Sequence, residues 1–365
     1  MFVGYTTLRA AIPVSAILVV SFLLTGAATS AYKKERVSLG QMHFERAQSL
    51  LGHGHPQDAV EEYRRALLFL PDNTRYRLSL ALALLDVGRL GEAESHLEQL
   101  LGENPADGLV NLALARIAVR KHRLSEALSY YQRAVYEYWP DSEIYMRRQA
   151  RWELVNVLVE LQRRNDIIGE LMQLYANAPP DRNERANIGF LLLKYGASSE
   201  ALRVFRELAR VDPQYGAAHR GLGQIYFASG NYVSARHEFQ RALRLDASDR
   251  ESAQSLNLTN SVIDLDSASP GISSAERVRR GENLLRRVIM DVAECSEAKP
   301  MPDSVQQQLR AARDLTLRRH GQEKDLNLDL QSAAERLWKA RTLVCSGNMT
   351  PDREVESVLA RFANE

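Results

Sequence analysis

The feature that most constrains this chain is a recurring pattern with a period of about 34 residues. The segment DAVEEYRRALLFLPDN sets Ala59, Tyr63, Ala66 and Pro71 at spacings of four, three and five. One period later EAESHLEQLLGENPAD answers with Ala93, Leu97, Leu100 and Pro105. The next period brings EALSYYQRAVYEYWPD, with Ala127, Tyr131 and Ala134 and its proline one place late at Pro140. After a longer gap the pattern returns in EALRVFRELARVDPQY, as Ala201, Phe205, Leu208 and Pro213. SARHEFQRALRLDASD follows one period on with Ala235, Phe239 and Ala242, and Ala247 stands in the proline's place. A repeat of this length is one supersecondary unit that buries its apolar face only against its neighbours. The chain therefore stacks as an array instead of closing around one core.

Each copy reads as a pair of helices. The small residues Ala59, Ala93, Ala127, Ala201 and Ala235 let the second helix approach the first, and the large residue four places on fills the gap beside them. Proline then ends the second helix, because it has no amide proton and clashes with the preceding turn. Glycine at 54, 88, 196 and 230 frees the turn between the two helices. These residues and this period resemble the tetratricopeptide repeat family over about residues 40–249, six repeats in all. In the fourth, Trp152, Val155 and Val159 fit the first helix, Ile168 replaces the small residue, and YEYWPDSEIYMRRQA sets the copy about seven residues late. The resemblance implies an all-α, right-handed superhelical solenoid of about six helix pairs, with the first helices lining a concave surface.

The N-terminal segment carries a different pattern. From Ala10 to Ala31 no residue is charged. In helical form that run reaches ~33 Å, enough to cross a ~30 Å hydrocarbon layer. Two readings stand. In one, Arg9 is the basic n-region of a signal peptide and GAATSA offers small residues for cleavage near Ala28 or Ala31. In the other, the run is an uncleaved transmembrane helix, because it outlasts an ordinary h-region and is followed at once by Lys33, Lys34 and Arg36. The anchor reading predicts a single-pass protein of a bacterial inner membrane. Its body then lies on the exported side, although the charges flanking the segment, taken alone, favour a cytoplasmic body. The expected organisation is a tail over 1–9, a transmembrane helix or signal peptide over 10–31, a linker over 32–39 and the repeat array over 40–249. A capping helix and linker over 250–272 and a C-terminal helical domain over 273–365 complete it.

That last domain has helical periodicity without the long repeat. Val278, Leu284, Leu285, Val288 and Val292 form one stripe behind a near capping box, Ser-Ser-Ala-Glu, and three more amphipathic segments follow. The two cysteines of the chain, Cys295 and Cys345, each end one of these helices. In an exported protein they close a disulfide contributing roughly 4 kcal/mol; otherwise they are two half-buried thiols acting as small hydrophobes.

Chemistry is sparse. No HExxH, GxSxG, GxGxxG or GxxxxGK[ST] occurs, and the nearest histidine pair, His53 and His55, sits in a turn with no cysteine nearby. No cofactor, metal set or catalytic residue is expected. Lysine plus arginine number 47 against 46 acidic residues, which argues against a nucleic-acid partner. The function this leaves is a non-enzymatic protein-interaction scaffold or adaptor tethered through the N-terminal helix, with self-association compatible. The alternative is an enzyme whose active site lies in the C-terminal helices.

Transferring the concave positions of the resembled family, residue by residue, gives the expected groove. In the first three repeats it comprises Phe44, Gln48, Leu78, Leu82, Leu85, Leu112, Arg116 and Arg120. Glu153 and Val157 follow in the fourth, and Asn187, Phe190, Leu193, Arg220, Gln224 and Phe227 in the last two. Members that bind chaperone tails clamp a peptide carboxylate with lysine, asparagine and arginine; here Phe44 takes the lysine's place, so that specificity is not expected. An apolar groove with basic points suits an amphipathic helix or extended peptide of a partner protein.

Overall fold

Proline, alanine and one left-handed residue per pair divide the chain into helices. A computed structural model describes residues 6–137, 139, 144–177, 181–296, 301–317, 323–345 and 352–362, without the side chains of 6–19, 296 and 323–325. It separates into two compact units, 1–170 and 171–365. In the first lie α1 (Thr6–Gly52), α2 (Pro56–Phe69), α3 (Thr74–Asp86), α4 (Leu90–Glu103), α5 (Gly108–Arg120), α6 (Leu124–Tyr136) and α7 (Ile144–Glu160). The boundary falls within α8 (Arg164–Ala176). The second unit continues with α9 (Arg182–Lys194), α10 (Ser198–Val211), α11 (Gly216–Ala228), α12 (Tyr232–Leu245) and α13 (Arg250–Leu265). After these come α14 (Ser274–Ser296), α15 (Asp303–Leu317), α16 (Glu323–Ala340) and α17 (Arg353–Phe362).

Within each pair the turn residue has positive φ: Gly54, Gly88, Gly196 and Gly230 at 75–79°, but His122 at 56° and Gln162 at 55°. These six positions fix the register. Successive turn residues stand one period apart throughout, except that the step from His122 to Gln162 is longer by six. The insertion is therefore one residue shorter than expected, and Ile167, almost fully buried, stands in the place of the small residue where Ile168 was expected.

The pairs pack by complementary size. Phe205 and Phe239 on the second helices stand at one and the same repeat position, and each faces a glycine at a fixed position of the first helix, Gly189 and Gly223. A Cβ at Gly189 would sit 2.7 Å from the Phe205 ring, and one at Gly223 would sit 2.6 Å from Phe239. Phe205 also fills the space over Gly221 of the next pair. In the first unit the same positions pair Ala81 with Leu97 and Ala115 with Tyr131, all buried. A smaller or differently shaped partner on one helix leaves room for a methyl on the other.

The N-terminal expectation is corrected. Among the described residues no helix is long and apolar enough to cross a membrane. The stretch 20–31 carries exposed side chains. It continues without a break through Lys33, Lys34, Glu35 and Arg36 into the first repeat, so the expected linker over 32–39 is helical. The transmembrane helix, the membrane tether and the single-pass inner-membrane placement are withdrawn on this ground. The side chains of 10–19, on which much of that expectation rested, lie outside the described residues.

In the second unit the apolar stripe of α14 joins Val305 and Leu309 of α15, Leu330 and Leu337 of α16 and Val355 and Val358 of α17 in one core. That core also takes in Tyr232 of α12 and Val262, Ile263 and Leu265 of α13, so the C-terminal helices share their interior with the last repeat. Ser273 caps α14 by accepting from the Glu276 amide at 3.2 Å. The last helix is tied back by Tyr232, whose hydroxyl donates to the Ser357 carbonyl at 2.9 Å, and by Arg361, which pairs with buried Asp266 at 2.6 Å.

Candidate peptide-binding site

In the first unit several of the expected groove residues serve the interior. Phe44 is buried against the Tyr63 and Tyr76 rings, centroids 5.4 and 4.5 Å away. Leu85, Leu112 and Val157 are likewise buried, Leu78 and Leu82 are half-buried against the same core as Phe44, and Gln48 is exposed. The two arginines already have partners. Arg116 grips Glu153 with two hydrogen bonds, Nε at 3.0 Å and Nη2 at 2.8 Å, and Arg120 donates to the Leu85 carbonyl at 2.6 Å. Tyr131 and Gln149 donate to the same carboxylate at 2.9 and 3.1 Å. Burial pushes the Glu153 carboxyl up, but the Arg116 hydrogen bonds and charge, then the other donors, outweigh it and hold the group below the usual carboxylate range. Burial, with the Glu153 charge, pushes the Tyr131 hydroxyl up.

The second unit gathers four of its expected residues at one place. Phe190 and Leu193 of α9 and Arg220 and Gln224 of α11 line a concavity of about 590 Å³ with Lys194, Ser198, Ala228 and Glu251. The Arg220 guanidinium stacks over the Phe190 ring at 4.8 Å, pairs with Asp249 at 3.1 Å and lies 3.4 Å from Glu251, a mostly exposed side chain. Asp249 is fixed as the cap of α13 by the Ser252 amide and hydroxyl at 3.1 and 2.8 Å. Lys194 is exposed, 5.7 Å from the Tyr195 ring, and has no ion pair among the described residues. Asn187 is exposed outside the concavity, and Phe227 turns its ring to Tyr232 at 5.3 Å and packs against the C-terminal core.

One polar motif escaped the sequence reading. His43–Glu62 and His219–Glu238 are hydrogen-bonded at 2.7 Å and Arg151–Glu170 is an ion pair at 3.1 Å, each pair linking the two helices of one repeat. All three pairs are equally far apart along the chain, a signal available from sequence. The His219 hydrogen bond holds the Glu238 carboxyl below its usual range against the opposing effect of burial. In the C-terminal helices Cys295 and Cys345 are joined in a disulfide, Cα atoms 4.8 Å apart, and Asp291 lies beside them.

Family comparison agrees with this geometry. One tetratricopeptide-repeat model matches residues 44–97 and 78–143, and a second matches 192–257. Over these residues the chain is similar to tetratricopeptide repeats, a class of stacked helix-pair arrays. The chain is 24% identical over 234 residues to the antiviral innate immune response effector IFIT1 of Macaca fascicularis, spanning 64% of this chain and 43% of that protein. It is 25% identical over 226 residues to the cellulose synthase operon protein C of Komagataeibacter xylinus, 57% of this chain and 17% of that one. The chain thus spans less than half the length of either relative. Among solved structures, YrrB, described as a TPR protein with an unusual peptide-binding site, overlaps 54% of this chain and 99% of its own at 18% identity and a TM-score of 0.42. PilF of Pseudomonas aeruginosa overlaps 60% and 97% at 14% identity and a TM-score of 0.40.

Proposed function

We propose that this chain is a protein-interaction scaffold that holds a short apolar peptide or helix of a partner in the concavity between α9 and α11. The observation that supports it is the meeting of Phe190, Leu193, Arg220 and Gln224, inner positions of two successive repeats, around one hollow. Stacked helix pairs present such a surface already formed, so a partner loses little free energy to ordering of the scaffold. The apolar floor of Phe190 and Leu193 accepts a hydrophobic side chain, and the Gln224 amide and Lys194 ammonium orient polar groups beside it. Selection of a random peptide library on the full chain tests this reading. A consensus enriched by the native chain and lost on Leu193→Glu supports it; the same consensus from both overturns it.

A second reading, chemistry in the C-terminal helices, has the Asp291, Cys295 and Cys345 cluster in its favour. In the disulfide the sulfurs are neither nucleophile nor thiolate ligand, so any such role begins with reduction.

A further inference from the structure

We propose that reduction of the Cys295–Cys345 disulfide turns the end of α14 into a binding site for one zinc-class divalent cation, held by both sulfurs and by Asp291. The three ligand atoms already lie within 4.8 Å of one another. Asp291 and Cys295 stand one turn apart on the same face of α14. Cys345 follows the turn after α16, where its amide donates to the Arg341 carbonyl at 2.8 Å. Zinc takes thiolate sulfur at ~2.3 Å and carboxylate oxygen at ~2.0–2.2 Å, which sets ligand atoms roughly 3.3–3.8 Å apart around a tetrahedron. Opening the sulfur–sulfur bond and drawing in the carboxylate reaches that spacing by side-chain movement.

The balance of the step is simple. A dithiol reductant gives two electrons and two protons to the disulfide, leaving two thiols and becoming a disulfide itself. The cation then displaces both thiol protons to water. Charge also closes. Arg341, only 8% exposed, pairs with Asp291 through Nε and Oδ2, a neutral pair beside a neutral disulfide. With the cation bound, two thiolates and the carboxylate carry three negative charges against two on the metal and one on Arg341. The buried cluster is again neutral, which low-dielectric surroundings demand. Arg341 has a further reason to favour this state: its Nη2 is buried without a hydrogen-bond acceptor among the described residues, and thiolates accept far more strongly than a disulfide. Two sulfurs with one carboxylate select zinc over magnesium or calcium and leave a fourth position for water.

The test uses the full chain with cobalt(II) as the probe. The protein is reduced with a dithiol, desalted without oxygen and titrated alongside the untreated protein, with circular dichroism monitoring helix content. One equivalent of cobalt bound by the reduced chain, with a thiolate-to-cobalt charge-transfer band and tetrahedral visible bands, is the expected result. Asp291→Ala should weaken that binding tenfold or more, and the disulfide form should show no band. A reduced chain that stays helical without a band, or loses its helical fold, overturns the proposal. So does equal affinity in Asp291→Ala, which would leave only a non-specific thiol pair.

Discussion

Positions 116 and 190 are one place in the repeat, as are 120 and 194, each pair separated by one ordinary period and the longer step across the insertion. In the first unit these places hold Arg116, committed to Glu153, and Arg120, committed to the Leu85 carbonyl. In the second they hold Phe190 and Lys194, both on the wall of the concavity. The same helical address thus closes one surface with internal hydrogen bonds and leaves the other facing solvent. Inner-face position alone does not make a binding residue; the neighbouring repeat decides whether a side chain is already satisfied.

The largest contrast between the units is in packing. Gly189→Ala or Gly223→Ala drives a methyl into a buried phenylalanine ring and should cost about 2–3 kcal/mol, the upper part of the ~1–3 kcal/mol range for overpacking. Ala81→Gly or Ala115→Gly in the first unit loses a buried methyl as well as adding chain entropy and should cost less, about 1–2 kcal/mol. Urea unfolding of the four variants checks the order. Equal costs would mean that the phenylalanines shift freely and that the size match is not a constraint.

Polar groups separate the units next. Arg116→Ala strips the half-buried Glu153 of its strongest donor and should lower stability by about 1–3 kcal/mol. Lys194→Ala, at an exposed site without an ion pair among the described residues, should stay within about 0.5 kcal/mol. Peptide binding should respond in the opposite order, weakened by Lys194→Ala and unchanged by Arg116→Ala. Melting temperatures and affinities for one selected peptide measured on both variants decide between this pattern and a site in the first unit.

Acid should act on both units through the internal carboxylates. Glu153 and Glu238 have folded pKa values below the ordinary 4.5. Their stabilisation is therefore fully present above that value and is lost as pH falls through the lower folded values. Melting temperature should drop below about pH 5, and the drop should be shallower in Glu153→Gln, which has no such proton to take up. A parallel profile in that variant would remove Glu153 from the linkage.

How much of this was legible beforehand varies by residue. The period, the small residue at 59, 93, 127, 201 and 235 and the stripe of α14 depend on local spacing, which a single sequence carries. The fourth repeat went out of register by one because its insertion has no periodic signal of its own, and only the left-handed residue at Gln162 counts it as six. Burial of Phe44, Leu85 and Leu112 was hidden because it depends on which side chain the neighbouring pair presents. The apolar N-terminal run misled for a different reason: length and hydrophobicity are what a membrane segment needs, but they do not by themselves establish one.

The smallest prediction concerns that same left-handed residue. Four of the six turns use glycine, which enters positive φ without steric cost; His122 and Gln162 enter it with a Cβ that crowds the following carbonyl. Replacing either by glycine relieves that crowding, worth ~1–2 kcal/mol. It also adds freedom to the unfolded chain, which takes back ~0.5–1 kcal/mol. The net gain in His122→Gly should be about 0.5 kcal/mol, and Gln162→Gly should match it because the two φ angles, 56° and 55°, are nearly the same. His122→Ala keeps the Cβ and should give no gain. Should the alanine variant gain as much as the glycine one, the histidine side chain and not its backbone is the source of strain.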